Sequence, residues 1–97
     1  MPLVSDIVTV MTPTGEYVGQ LVSQDGNTVV IKDPRIFMAN QQGAGFTDRI
    51  AMTGKENPKE VTFYGIFFIC ETHPEVITAW QQATSGIIMP PKGNIVS

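Results

Sequence analysis

The sequence predicts a mainly-β fold, a small five-stranded barrel followed by one C-terminal helix, and three observations lead to this prediction. In residues 15–33, two β-rich runs flank Asp25 and Gly26, which together favour the tight turn of a β-hairpin. Gly19 interrupts the first of these runs, and a glycine inside a strand permits the sharp bend that a small barrel requires. Residues 60–71 form the strongest apolar run and are rich in the aromatic and β-branched residues that favour strands.

The predicted hairpin is apolar on both of its faces. A two-residue type I′ turn at Asp25 and Gly26 determines which residues lie opposite each other. The expected pairs are Gln24 with Asn27, Val22 with Val29, and Leu21 with Val30. The last two pairs point to opposite faces, because side chains alternate along a strand. Such a ribbon indicates a closed barrel whose outside is also covered, by a helix or by another subunit.

The strands are predicted in order from local patterns. They are expected at residues 3–11, 16–24, 27–32, 61–64 and 66–70. Apolar and polar residues alternate in the first strand, which suits a half-buried strand. Residues 12–15 have the composition of a turn, and Gly65 divides the strong apolar run into the last two strands.

Asp33 and Pro34 leave two alternatives open for the residues that follow them. Asp33 can cap a short helix that begins at Pro34 and continues through Asn40. Alternatively, residues 35–38 continue the third strand beyond a kink at the proline. We favour the strand, because barrels of this kind have long bent strands. Residues 39–58 then form a long connection to which no regular structure is assigned.

A helix is predicted over about residues 73–85. Thr72 and Glu75 have the spacing of a capping box, and Pro74 fits the first helical turn. One apolar face is made by Val76, Ile77 and Trp80, with Ala79 or Ala83 beside them. Residues 86–97 are expected to be an irregular tail.

Length and composition indicate one domain over residues 1–97, with the barrel strands within residues 3–71. The chain has no apolar run of the ~18–20 residues that cross a membrane and no basic-then-apolar N-terminus. We therefore expect a cytoplasmic protein without a membrane partner. The net charge of −3 counts against a strong, non-specific nucleic-acid binder, which carries a basic surface.

The reactive residue types show no catalytic or metal-binding pattern. His73, the one histidine, lies at the predicted helix start, where a capping role or a solvent-exposed role is expected. Cys70, the one cysteine, lies in the apolar run and is expected to be a buried, inert thiol. No metal-ligand spacing and no phosphate-binding glycine loop occurs in the sequence. We expect a protein that is not an enzyme and uses no cofactor or metal.

The hairpin and the strand before it carry a pattern of apolar residues, glycines and an Asp-to-Asn loop. The residues of this pattern are Val8, Val10, Gly15, Gly19, Leu21, Asp25, Asn27, Val29 and Ile31. In this pattern the chain resembles the first signature of the Sm-like family, the Sm, LSm and Hfq proteins. It departs from that family in a shorter gap between the two glycines and in a tighter loop. Tyr64, Gly65 and Ile66 stand where the family has a basic residue, a glycine and a polar residue.

The resemblance implies an SH3-like barrel assembled as a ring of five to seven identical subunits. In such a ring, the last strand of one subunit pairs with the preceding strand of its neighbour. The expected interface residues are Val61, Phe63, Phe67 and Ile69. The resemblance also implies that the hairpin loop faces the pore of the ring, where single-stranded RNA or DNA binds. The expected nucleic-acid-binding residues are Asp25, Asn27, Tyr64, Gly65, Lys32 and Arg35.

Two functional hypotheses follow from these residues. The first is a ring-forming module that binds single-stranded RNA or DNA, with Tyr64 stacking on a base and the two basic residues touching phosphates. The second is a structural or adaptor protein, for instance a phage assembly component, that keeps the ring without the ligand. Under the second hypothesis, Asp25 and Asn27 simply form a good turn, Tyr64 packs in the core or at a subunit interface, and the basic residues are solvated.

Overall fold

A computed structural model describes residues 3–85 as six strands followed by one helix. The elements are β1 (Ile7–Thr12), β2 (Gly15–Asp25), β3 (Thr28–Asn40), β4 (Gly43–Phe46), β5 (Glu60–Tyr64), β6 (Phe68–Glu71) and α1 (Pro74–Thr84). The prediction of a mainly-β fold with a C-terminal helix is confirmed, whereas the predicted tail lies outside the described residues. Helix α1, the one helix in residues 3–85, does not have the length and apolar character needed to span a membrane.

All strand pairs in the sheet are antiparallel. The order is β4-β3-β2-β1-β6, and β5 pairs with the first half of β3 while β4 pairs with its second half. β5 and β6 are therefore edge strands on opposite sides of one bent sheet, although only residues 65–67 separate them in the chain. No ladder joins β5 to β6 within the described residues, so the sheet is open and the expected closed barrel is not formed. The additional strand β4 comes from the connection to which the sequence assigned no structure.

The hairpin between β2 and β3 turns one residue later than predicted. Asp25 is the last residue of β2 and pairs with Thr28, so Gly26 and Asn27 form the turn. Gly26 has a φ of 64°, and a positive φ at the first central residue alone is the pattern of a type II′ turn. All three predicted pairs are therefore wrong. The observed pairs are Gln24 with Val29, Ser23 with Val30, and Leu21 with Ile31, and the bulge between the last two leaves Val22 exposed.

A second irregularity bends β2 and β3 together, and we call it the corner: Gly19, Asp33 and Pro34. The ladder between the two strands shifts register there, and Pro34 is tolerated because it is not needed as a ladder donor. β3 continues through the corner to Asn40, which confirms the strand alternative over the helix. Asp33 adopts a φ of 52° at the kink, and its N–H donates to the carbonyl of Lys59 at 2.7 Å.

The core lies on one face of the bent sheet. Its buried members are Val8, Val10, Leu21, Val29, Ile31 and Ile66, and Phe63 and Ile69 pack against them while remaining half-buried. On β2, the adjacent residues Tyr17 and Val18 are both buried although they point to opposite faces. The sheet is therefore covered on both sides near Val18, rather than at the predicted position Val22.

Helix α1 lies against β4 and is fastened to the corner. Trp80 is 6% exposed, and its indole Nε1 donates to the carbonyl of Asp33 at 2.9 Å. The predicted capping box is not formed, because Thr72 is buried with its hydroxyl 2.9 Å from that of Thr9. His73 is the N-cap instead, and its Nδ1 accepts from the backbone N–H of Glu75 at 3.1 Å, which confirms the predicted capping role.

Candidate functional site

The structure brings four of the six predicted binding residues together at the end of the hairpin. The carbonyl oxygen of Asn27 accepts hydrogen bonds from the backbone N–H groups of Gly65, at 2.9 Å, and Ile66, at 3.0 Å. Thr28 is the cross-strand partner of Asp25 on one side and of Tyr64 on the other. We call Asp25, Asn27, Thr28, Tyr64 and Gly65 the tip surface.

Three side chains of the tip surface are presented to solvent, and that of Thr28 is half-buried. Tyr64 is 80% exposed, and Asp25 and Asn27 are exposed as well. Tyr64 is therefore not a core residue, which excludes core packing as its role. Gly65 has a φ of 73°, a conformation that L side chains rarely adopt, and it turns the chain from β5 towards β6 directly beside Asn27.

Lys32 lies on the same face of β3 as Thr28, because the two residues are four positions apart along the strand. Lys32 is exposed, but four residues along β3 separate it from Thr28 of the tip surface. It lies directly opposite Glu60 of β5. Opposite charges at cross-strand positions attract each other, so Glu60 offsets the charge of Lys32. Lys32 is thus accessible for contact with a ligand but is not part of the tip surface.

Arg35 does not lie where a phosphate-binding residue is expected. It is 3% exposed, and its guanidinium donates to the carbonyl of Pro34 at 2.8 Å and to Oδ1 of Asn57 at 3.2 Å. Burial lowers the pKa of the guanidinium below its ordinary value, while the negative charges of Asp33 and Asp48 act in the opposite direction. The prediction that Arg35 binds nucleic acid is therefore corrected: Arg35 ties the connection before β5 to the corner.

One signal in the sequence could have indicated this structural role. Arg35 is the only charged residue from Pro34 to Thr47, and an isolated charge in such a stretch needs internal partners if the stretch is buried. The partner Asn57 is too distant in sequence to be identified without the fold.

The two edge strands carry exposed aromatic side chains. Phe67 and Phe68 are 67% and 51% exposed, and they lie just before and at the start of β6. The other three predicted interface residues, Val61, Phe63 and Ile69, are half-buried on the edge strands β5 and β6. Phe68 belongs to the same apolar run as Phe67 and Ile69.

Cys70 is exposed on β6, so the prediction of a buried thiol is wrong. The sequence places Cys70 in an apolar run, but β6 is an edge strand and one of its faces remains open. An open surface pocket of about 240 Å³ beside β6 is lined by Asp6, Ile7, Glu71, Thr72 and Ile77. Within residues 3–85, no group of three or more His, Cys, Asp and Glu residues is arranged to hold a metal ion.

Comparison with known proteins adds no assignment to this geometry. No protein-family model matches the chain, and no curated protein matches it either.

Proposed function

We propose that the protein is a non-enzymatic, self-assembling module whose subunits form a closed ring of five to seven copies. The observation that carries this proposal is that, within residues 3–85, β5 with five residues and β6 with four each leave an unpaired edge, on opposite sides of one bent sheet. An unpaired strand presents a row of N–H and C=O groups that readily pair with another chain. Pairing β5 of one copy with β6 of the next satisfies both edges.

The residues of β5 and β6 favour pairing with a strand of another chain, because they do not block it. Natural monomers usually block their edges with charged residues or proline. Here the charged residues stand only at the ends, Glu60 at the start of β5 and Glu71 at the end of β6, and neither strand contains proline. A paired neighbour would cover Phe68 and complete the burial of Phe63 and Ile69.

A contact between two different strands has a consequence for assembly. Such an interface is heterologous, and it repeats from copy to copy until the rotation closes a ring. The resemblance to the Sm-like family supports the same arrangement, because that family closes its rings by pairing the last barrel strand with the preceding strand of a neighbour. A role as an assembly or adaptor component of a phage is consistent with such a ring.

The role of β6 in assembly can be tested with Phe68→Lys. Because Phe68 is 51% exposed in the subunit, the substitution is expected to leave the fold intact while placing a charge at the paired edge. Sedimentation velocity is expected to show the variant shifted to monomer. The matched control is Met52→Lys, which introduces the same charge at a residue 95% exposed and outside both edge strands. If Phe68→Lys sediments like the control, β6 is not the assembly edge.

A second candidate function is binding of single-stranded RNA or DNA at the tip surface. It is favoured by the convergence of an exposed aromatic ring, Tyr64, with the polar side chains of Asp25 and Asn27. Aromatic stacking contributes ~1–3 kcal/mol per base, and a ring repeats the contact once per subunit.

This second candidate can be tested by fluorescence anisotropy with labelled oligo-U and oligo-A over a salt series. Tyr64→Ala is expected to weaken binding with little change in the salt slope, because stacking is not screened by salt. Lys32→Ala is expected to lower the slope if Lys32 touches phosphate. The buried Arg35 is not expected to contribute to the slope. Absence of binding at low salt by an intact oligomer, for RNA and single-stranded DNA alike, would leave assembly alone as the proposed function.

A further inference from the structure

Among the described residues, the tip surface carries one negative charge and no positive charge. Asp25 is exposed there, and none of the five residues of the tip surface is basic. The basic residues on and next to β3 and β5 lie towards the other end of β5. Lys32 faces Glu60, and Lys59 immediately precedes β5. Arg49 has Asp48 and Glu56 within 3.6 Å, and Arg35 is buried. Within residues 3–85, Asp25 therefore forms no ion pair, and the exposed ring of Tyr64 lies two strands away from it on the same face.

We propose that the tip surface binds an arginine side chain in an extended basic segment of a protein partner. The side chains of Asp25, Thr28 and Tyr64 form one row on one face of the sheet, because each is directly paired with the next. Two strand spacings separate Asp25 from Tyr64, about 10 Å between backbones. Thr28 is half-buried between them and forms the floor of the row.

Arginine matches this row better than other cations do. Its planar guanidinium stacks on an aromatic face and also donates two parallel hydrogen bonds to a carboxylate. The stem of an arginine that crosses Thr28 brings its head between the ring of Tyr64 and the carboxylate of Asp25. A lysine is a compact, strongly hydrated charge and gains less from either group.

The same charge disfavours a phosphate chain. A phosphate that approaches the Tyr64 ring comes near the Asp25 carboxylate, and a ring of subunits repeats this repulsion at every copy. A basic segment experiences the opposite effect, because each subunit adds one more site along the segment. The inference extends the proposed assembly to a partner and depends on the assembly only for this repeated contact.

The test is fluorescence anisotropy with three labelled peptides of equal length, in which Ser and Gly alternate with arginine, lysine or glutamate. The wild type is expected to bind the arginine peptide most tightly and the glutamate peptide not at all. Asp25→Asn and Tyr64→Ala are each expected to weaken arginine-peptide binding about fivefold or more. Glu60→Gln is the matched control, because Glu60 is an exposed carboxylate on the same face that already faces Lys32. It is expected to have little effect.

Three results would overturn the inference: no binding of the arginine peptide, equal losses in Asp25→Asn and Glu60→Gln, or tighter binding of oligo-U than of the arginine peptide. Circular dichroism melts of each variant establish that the fold is retained. Sedimentation of the same samples reports the oligomeric state separately. A monomer that binds the arginine peptide supports this inference and contradicts the proposed ring. A ring that does not bind the peptide supports the proposed assembly and overturns this inference.

Discussion

Replacing Gly19 by valine is expected to lower the free energy of unfolding by about 3 kcal/mol or more. A Cβ atom at this position would lie 2.9 Å from the carbonyl oxygen of Lys32 and 3.2 Å from Cα of Pro34, and it would collide with Cγ2 of Ile31. The Ile31 side chain can shift, but the two backbone atoms belong to the kink of β3 and cannot move without opening the corner. Thermal and urea denaturation followed by circular dichroism measure the loss.

The matched control is Gly45→Val in β4. A Cβ atom at Gly45 meets nothing within 4 Å, and valine favours strands, so this variant is expected to melt close to the wild type. If Gly19→Val melts within a couple of degrees of Gly45→Val, the close approach of β2 to the kink of β3 does not hold the sheet in its bent form.

Replacing Trp80 by alanine is expected to cost about 3–5 kcal/mol of stability. Trp80 is the one buried residue of α1, and its indole also satisfies the carbonyl of Asp33 at the corner. Alanine removes both the apolar contact and the hydrogen bond, so the helix loses its attachment to the sheet. The expected result is a lower melting temperature and earlier loss of the helical signal than of the β signal in circular dichroism.

Two further variants separate the contributions at this position. Trp80→Phe keeps an aromatic ring but removes the N–H, and it is expected to cost about 1 kcal/mol beyond any repacking. Gln81→Ala changes the adjacent exposed residue of the same helix and is expected to be within about 0.5 kcal/mol of the wild type. A Trp80→Ala variant as stable as Gln81→Ala would contradict the account of helix docking.

The course of the strands could largely be predicted from sequence, and the register of the hairpin could not. Hydrophobic alternation and the glycine at position 19 are local signals, and both correspond to observed features. In contrast, Asp25-Gly26 and Gly26-Asn27 are both acceptable turn centres, and a shift of one residue changes every cross-strand pair. The observed turn at Gly26 and Asn27 also places the Asn27 carbonyl against the backbone N–H groups of Gly65 and Ile66. That contact joins residues nearly forty positions apart, so no local pattern reveals it.

β4 was missed for a related reason. Its residues Gly43–Phe46 have weak strand preference, and the strand forms because the second half of β3 offers a partner beyond the kink. The grouping of Asp25, Asn27, Tyr64 and Gly65 agrees with the expectation from sequence, since the hairpin loop meets the chain at the end of β5. The burial of Arg35 and the exposure of Cys70 could not be anticipated, because they depend on Asn57 and on which strand forms the edge of the sheet.

The mass of the wild-type protein in solution is the most direct test of the proposed ring. Native mass spectrometry, with light scattering at micromolar concentration, measures the number of subunits without assuming a shape. We expect one closed species of five to seven subunits, because each copy of β5 pairs with β6 of a neighbour and neither of these two strands is left unpaired. Monomer alone at these concentrations would contradict it, and so would a dispersed ladder of masses, which is the signature of edges that pair without closing.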